Sequence, residues 1–437
     1  MSATLAKPGA EEPVADPEAS FTVADPGKAW RRGRGIPVVP AFDGYRALAV
    51  IAVVLFHVLQ VSGAFAPLGK SASAIVAWGI LPRSLDVFFI VSGFVMFLPT
   101  AARAGDFGRV SAFAVRRAAR LVPAYWLALA IALMLLAAVE PSAMPGAGPI
   151  VTHLAVLQAP ALLVSSSFPL GFGVVPPVWT LSVEVGFYIV LPFIAAWYFR
   201  RPLAGLLAAA AIAVAWHLAA SDAAGTAGML GIHLSDAAAS RIDLYYASQL
   251  PGWSFSLAAG MTGAWAYVRL RDRWSPSALA PRALWLAGAA TLALCFLTYL
   301  AGHDAINDPQ PLNGLFARQS LVVAIGFPAA LAAFMVALAL SARRAQWPVT
   351  NAPIRWIADI SYGIYLIHFA VIWFALQKLS LPQDGSIGAV AAWAALVYPA
   401  SVVYAYLSAR IIERPIRRWA HRFGRRAQAA ERAPLLA

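Results

Sequence analysis

Long apolar runs alternate with short polar breaks along almost the whole chain. Ten runs of roughly 17 to 25 residues are each long enough to cross a hydrocarbon core of about 30 Å as a helix. They lie near residues 46–64, 84–102, 123–140, 178–199, 203–220, 243–267, 283–301, 319–341, 355–377 and 388–409. Because lipid offers backbone groups no hydrogen-bond partner, each run is predicted to be helical. The pattern therefore predicts an all-α, polytopic integral membrane bundle of about ten transmembrane helices.

Composition and charge support this prediction and orient the bundle. Hydrophobic residues make up 61% of the chain and charged residues 12%, which leaves too little polar surface for a soluble globule of this length. If both termini are cytoplasmic, the N-terminal segment, the even-numbered loops and the C-terminal tail hold nearly all of the 33 Lys and Arg residues. The exceptions are Lys70, Arg83, Arg241, Arg318 and Lys378. The net charge of +13 then reflects topology and contact with membrane lipid, and no nucleic-acid partner is expected.

Three regions are predicted along the chain. Residues 1–40 contain Pro, Glu, Ala and Asp without apolar periodicity, which is typical of a disordered cytoplasmic arm. Residues 41–418 form the predicted transmembrane domain, and residues 419–437 form a basic cytoplasmic tail. We expect no metal site and no permanently bound cofactor.

The first apolar run carries two ionisable side chains, Arg46 and His57. At 100° per residue, eleven steps return to within about 20° of the start and rise by about 16 Å. The two side chains are therefore predicted on one helix face, with Arg46 at the cytoplasmic surface and His57 about halfway across. An ionisable residue at that depth is costly and indicates a functional site. The alternative is a packing histidine, with Arg46 simply obeying the positive-inside rule.

A basic cluster, Arg116, Arg117 and Arg120, is predicted in the loop before the third run. Spacings of three and four residues bring Arg120 beside both other arginines on a helical surface. Guanidinium groups bind phosphate through paired hydrogen bonds, so this cluster suits a nucleotide-bearing donor. The alternative is an anchor for lipid headgroups.

Two carboxylates are predicted towards the outer side. Asp86 begins the second run, where it either orients His57 or caps its own helix. Glu184 lies a turn or two below the outer surface in the fourth run, and Tyr188 follows on the same face. A glutamate at that depth needs a partner on another helix or a bound proton, either of which suits a site. A purely structural role for Glu184 is the alternative.

A polar stripe crosses the ninth run, where Ser361, Tyr365 and His368 follow the offsets of one helix face. Such a stripe either lines a cavity or joins neighbouring helices by hydrogen bonds. Glu413, at the end of the tenth run, is interpreted as a structural partner of Arg410 or Arg417.

Together these motifs resemble the membrane-bound acyltransferase 3 family, from about residue 40 to residue 418. The resemblance rests on the Arg46–His57 spacing, the Arg117–Arg120 pair, Phe-Phe-Ile-Val-Ser-Gly, Trp-Thr-Leu-Ser-Val-Glu, Ser-Tyr-x-x-Tyr-Leu-x-His and the terminal Glu-x-Pro, in the expected order. One departure is Val185 after Glu184, where a more polar residue is expected.

The resemblance implies an enzyme of the bacterial plasma membrane that moves an acyl group, acetyl by default, from cytoplasmic acyl-coenzyme A to a hydroxyl. The acceptor would be a carbohydrate or a glycosylated or macrolide metabolite. Arg46, Arg116, Arg117 and Arg120 are the expected phosphate-binding residues of the donor.

The chemistry implied by the resemblance centres on His57. His57 is expected to act as general base, with Glu184 or Asp86 orienting it, and direct acylation of His57 is a variant. Substrate contacts are expected from Tyr188, Ser361, Tyr365 and His368.

Two other classes of function compete with this prediction. A transporter would use His57 and Glu184 as a proton relay while moving a lipid or metabolite. A non-catalytic scaffold of a polysaccharide machine is a third possibility, and the intact Arg and His motifs argue against it. Consumption of acyl-coenzyme A distinguishes the enzyme from both.

Overall fold

The computed structural model of the protein describes residues 36–162, 174–229, 231, 248–309, 311–316 and 318–420. Within those ranges the chain is helical and contains no strand, which confirms the predicted all-α class. Its ten long helices are α1 (Pro40–Val61), α2 (Ser84–Ala102), α3 (Val110–Val139), α4 (Trp179–Arg200), α5 (Pro202–Ser221), α6 (Leu250–Arg273), α7 (Pro276–Asn307), α8 (Leu321–Leu340), α9 (Ala352–Lys378) and α10 (Ile387–Ser408).

Nine of these helices are apolar and long enough to cross a membrane, which makes the protein a multi-pass membrane protein. The exception within the described part of the chain is α6, which is long enough but less apolar. Half of the residues of α6 are buried, including Ser256, Gly260 and Gly263, and the helix packs against α2, α5 and α8. A helix enclosed by other helices does not face lipid, so it tolerates small and polar residues that help packing.

Three helices begin six or more residues earlier than predicted, among them α7, which starts at Pro276 rather than residue 283. Helix α1 starts at Pro40 rather than residue 46, since proline is well suited to the first helical turn. Helix α3 starts at Val110 rather than residue 123, so the cluster predicted in a loop lies on helical turns. Alanine and arginine favour helix even where the apolar pattern has not begun, which explains the extension.

The predicted terminal segments are only partly described. Residues 1–35 and 421–437, which carry most of the predicted arm and tail, lie outside the described residues. Helix α10 is followed by a π-helical turn, Ala409–Glu413, and the chain then continues as α-helix to Ala420.

Contacts between helices define their directions. Arg46 and His57 of α1 meet Ser361 and His368 of α9 in the same order, so the two helices run parallel. Helices α2 and α6 are also parallel, because Asp86 meets Ser256 and Ile90 meets Gly260. We call the end of the bundle near Arg46 the basic end.

Glycines allow α2 and α6 to approach closely. A Cβ atom added at Gly93 would lie 2.0 Å from the Leu257 carbonyl oxygen, and one at Gly260 would lie 2.1 Å from the Ile90 carbonyl oxygen. Both obstacles are backbone atoms, so a larger residue would force the helices apart.

We expect Gly93→Ala to lower the free energy of unfolding by about 1–3 kcal/mol, the usual cost of overpacking. The measurement is thermal unfolding of the detergent-purified protein. The control is Gly288→Ala in α7, where an added Cβ meets nothing within 4 Å. That variant should be neutral or slightly stabilising, because alanine favours helix by about 1 kcal/mol over glycine. Equal effects of the two substitutions would contradict the close approach of α2 and α6.

Candidate functional site

Two polar contacts join α1 to α9. Arg46 Nη2 donates a hydrogen bond to Ser361 Oγ over 3.2 Å, and His57 Nδ1 lies 3.3 Å from His368 Nε2. The prediction that Arg46 and His57 share one helix face is confirmed, since both contact the same neighbouring helix. Ser361 and His368 are seven residues apart on α9, which places them within about 20° of each other. We call these two contacts the α1–α9 seam.

The hydrogen bonds of the seam assign the protons on both imidazoles. His57 Nδ1 lies 2.9 Å from the Val53 carbonyl oxygen, and His368 Nδ1 lies 2.7 Å from the Tyr365 carbonyl oxygen. A carbonyl oxygen only accepts, so each Nδ1 carries the proton. The Nε2 lone pair of His368 lies beside the Nδ1–H of His57, which it shares with the nearer Val53 carbonyl oxygen. The Nε2 of His57 keeps its lone pair and is the atom able to accept a proton.

Aromatic rings surround the end of α1 that carries His57. Phe369 and Phe56 both contact the imidazole in edge-to-face geometry, with their ring centroids 5.3 Å and 5.4 Å from its centroid. Phe56 in turn packs against Phe65 and Trp78. His57 lies one turn before the helix ends at Val61, so it is nearer that end than the midpoint predicted from the sequence. The difference arises because α1 begins six residues earlier, and ends three residues earlier, than predicted.

The third member of the predicted polar stripe faces another helix. Tyr365 donates to the Pro177 carbonyl oxygen and bonds to Thr180 Oγ1 over 2.7 Å, which joins α9 to the start of α4. Its position differs from those of Ser361 and His368 by about 40° to 60° around the helix, enough to reach a different neighbour. Tyr365 thus joins α9 to α4 by hydrogen bonds, while Ser361 and His368 join α9 to α1 in the seam.

Glu184 sits in a polar cluster between the seam and the arginines of α3. Tyr188 donates a short hydrogen bond to Glu184 Oε1, as their spacing predicted, and Ser92 Oγ donates to the same oxygen over 3.3 Å. Glu184 also attracts Arg46 electrostatically, and both Arg117 and Arg120 interact electrostatically with Tyr188. The partners that Glu184 needs are therefore at the basic side of the site, and the structure does not bring it to His57.

The arginines of α3 differ in their surroundings. Arg117 is 5% exposed and its guanidinium lies over the Phe113 ring at 5.9 Å. A side chain buried to that degree does not reach lipid headgroups, so the anchor alternative fails for Arg117. Arg120 is half-buried and acts electrostatically on Arg46, whereas Arg116 is half-buried beside it. We call Arg46, Arg117 and Arg120 the arginine cluster.

Asp86 belongs to a separate buried network. Its Oδ2 pairs with Arg83 Nη1 at 3.4 Å, and its Oδ1 accepts a hydrogen bond from Ser256 Oγ over 2.9 Å. Arg83 is itself 3% exposed and lies over the Phe316 and Phe327 rings. Asp86 therefore pairs with Arg83 and not with His57, contrary to the hypothesis drawn from the sequence. A buried arginine needs a counter-charge, and Asp86 supplies it from one turn away.

Sequence reasoning missed several partners within the site. Ser92 donates to Glu184 from another helix, which no local pattern indicates. Asp43 lies 3.9 Å from Arg46, and the spacing of three residues between them is the signal that could have identified this pair. Tyr362 donates to the Leu121 carbonyl oxygen and joins α9 to α3, which no local pattern indicated. Among the described residues, no group of three or more His, Cys, Asp or Glu side chains is arranged for a metal ion.

Comparison with known families identifies the family of this chain. The profile of a family described as an acyltransferase domain matches residues 39–410, which include the seam and the arginine cluster. This chain belongs to that acyltransferase family. The predicted resemblance to the acyltransferase 3 family is confirmed. No solved structure matches the chain.

Two curated relatives of this acyltransferase carry related names. The peptidoglycan O-acetyltransferase OatA of Listeria monocytogenes is 26% identical over 399 residues, covering 87% of this chain and 56% of the relative. The putative peptidoglycan O-acetyltransferase YrhL of Bacillus subtilis is 26% identical over 395 residues, covering 87% of this chain and 55% of the relative. The acyltransferase chain thus spans about half the length of the curated relatives it matches.

Substituting Asp86 tests whether it serves stability or the histidine site. We expect Asp86→Asn to lower the free energy of unfolding by as much as about 3–5 kcal/mol, because it removes the charge paired with buried Arg83. Thermal unfolding measures the loss, and Asp384→Asn, at an exposed loop position, is the control. Full stability combined with lost acyl transfer in Asp86→Asn would return Asp86 to the His57 site.

Proposed function

We propose that this acyltransferase moves an acetyl group from cytoplasmic acetyl-coenzyme A to a hydroxyl of a carbohydrate on the other side of the membrane. The observation that carries the proposal is the α1–α9 seam. It connects the arginine cluster, where phosphates would bind, to an imidazole with an open lone pair about 16 Å along the same helix. The acyl donor needs both features, a binding site for its phosphates and a base near its thioester.

The proposed orientation puts the basic end of the bundle in the cytoplasm. The parallel directions of α1 and α9 support an even total number of crossings, because they require an odd number of crossings between these two helices. Helices α2 to α8 provide seven when α6 also crosses. Ten crossings with both termini cytoplasmic then satisfy the positive-inside distribution of Lys and Arg. The setting we propose is the plasma membrane of a bacterium.

Donor binding is assigned to the arginine cluster. Guanidinium groups form charge-assisted, paired hydrogen bonds with phosphate, and partial burial strengthens them. Glu184 attracts Arg46, and Tyr188 and Ser92 position the Glu184 carboxylate by donating hydrogen bonds to it. The pantetheine arm of the donor would follow the seam from the arginine cluster towards His57.

The proposed chemical step begins when Nε2 of His57 takes the proton of the acceptor hydroxyl. The acceptor oxygen then bonds to the thioester carbonyl carbon, and the carbon–sulfur bond breaks. The departing thiolate receives the proton from the imidazolium, which returns His57 to its neutral form. His368 is a positioning residue in this scheme, because its Nε2 accepts from His57 Nδ1–H and so keeps the opposite lone pair of His57 available.

The choice of acceptor rests on the curated relatives, whose names give peptidoglycan as the substrate and acetyl as the group. We extend that substrate class to this chain as a proposal. A glycan hydroxyl also suits the position of His57, which lies near the end of α1 opposite the basic end.

The test of the function follows labelled acetyl from acetyl-coenzyme A into peptidoglycan in membranes that contain the protein. We expect His57→Ala to reduce transfer by about 10²–10⁴-fold, the usual contribution of a general base. Expression of each variant is matched by immunoblot. Retained transfer by His57→Ala would exclude the catalytic role, and label held by the chain itself without acceptor would favour an acylated His57.

A second test addresses His368 as the positioning residue. We expect His368→Phe to lower kcat by about 10- to 100-fold, the range typical of losing the partner that orients a histidine. The KM for acetyl-coenzyme A should hardly change, because the arginine cluster stays intact. His368→Gln keeps a hydrogen-bond acceptor and should recover part of kcat. Equal kcat losses in the two variants would mean that His368 acts only through packing.

A further inference from the structure

The π-helical turn Ala409–Glu413 positions two charged residues that sequence reasoning treated as structural. A π turn inserts one extra residue into a helix and often occurs at functional sites. Here it leaves Glu413 4% exposed, with a hydrogen bond from Ser408 Oγ over 3.3 Å. The turn contacts α3 and α9, so its buried face looks towards the basic end of the seam. Arg417 follows Glu413 by one helical turn.

Contacts with one end of α9 bring three arginine-bearing segments close to Glu413. Ser361 bonds to Arg46, Tyr362 donates to the Leu121 carbonyl oxygen next to Arg120, and Asp359 pairs with Arg414 in the segment that carries Arg417. Arg46 of α1, Arg120 of α3 and Arg417 each act electrostatically on its carboxylate. Arg46 and Arg417 also repel Arg120, and each other. Three guanidinium groups that repel one another are therefore balanced in part by a buried carboxylate. An anion entering this group would relieve repulsion and gain charge-assisted hydrogen bonds.

The neighbouring basic residues have other surroundings. Arg414 pairs with Asp359 at 3.5 Å, and Arg418 is exposed on the outside of the helix. Arg417 is half-buried and faces the converging group instead. The chain thus offers two adjacent arginines, Arg417 and Arg418, with the same chemistry and opposite orientations.

We propose that Arg417 binds the phosphate groups of the acyl donor together with Arg46 and Arg120, and that Glu413 is their resident counter-ion. The inference rests on the proposed function and extends its donor site to a helical segment outside α1 and α3. Glu413 competes with phosphate for the same guanidinium groups, so it weakens donor and product binding. Release of spent coenzyme A from a site with three arginines would otherwise be slow.

The test measures coenzyme A binding to the full-length, detergent-purified protein by titration calorimetry. We expect Arg417→Gln to weaken binding by about 10- to 100-fold, the range that charge-assisted hydrogen bonds span. Arg418→Gln should change it less than about twofold, because an exposed charge is screened. Arg417→Lys, which keeps the charge but loses the paired geometry, should fall in between and serves if the glutamine variant does not fold.

Glu413→Gln tests the counter-ion. The amide keeps an acceptor for Ser408 but removes the negative charge, so coenzyme A should bind at least about fivefold more tightly. Unchanged or weaker binding would overturn the counter-ion role.

Different results would overturn the role of Arg417 and the assignment of the donor. Wild-type protein that binds coenzyme A, with Arg417→Gln and Arg418→Gln indistinguishable from each other, would overturn the inference alone. Wild-type protein that neither binds coenzyme A nor releases it from acetyl-coenzyme A would overturn the donor assignment and the inference with it.

Discussion

The α1–α9 seam is the interaction on which the rest of the structure depends. Ionisable side chains inside a membrane bundle are costly unless partnered, and polar contacts with a neighbouring helix reduce that cost. Arg46 with Ser361 and His57 with His368 fix both the rotation and the register of the two helices. Rotating either helix by half a turn would expose all four polar groups to apolar surroundings. The same pairing therefore stabilises the fold and positions the imidazole.

Helix α9 also connects the other walls of the site. Tyr365 joins it to the start of α4, and Tyr362 joins it to α3 through the Leu121 carbonyl oxygen. Glu184 and Arg120, on α4 and α3, are thereby held at defined positions relative to the seam. One helix thus sets the distance between the charged groups at the basic end and the histidine pair. The separation suits a long, flexible donor whose phosphates and thioester are far apart.

The polar groups on α2 show that similar residue types serve different purposes. Asp86 lies in the buried pair with Arg83 and bonds to Ser256, which holds α2 against the enclosed helix α6. Ser92, six residues later on the same helix, faces Glu184 instead. The bond between Asp86 and Ser256 joins α2 to α6, and Gly93 and Gly260 allow the two helices to approach closely.

Hydrophobic periodicity determined the helical class, and the spacing of eleven residues put Arg46 and His57 on one face, because both depend only on helix geometry. The Glu184–Tyr188 contact could be predicted for the same reason. The partners of these residues on other helices could not be predicted from the sequence. Neither His368 as the neighbour of His57, nor Ser256 as the neighbour of Asp86, nor the proximity of Arg46, Arg120 and Arg417 follows from any local pattern. These contacts depend on how helices far apart in the chain rotate and pack, and only the tertiary structure decides that.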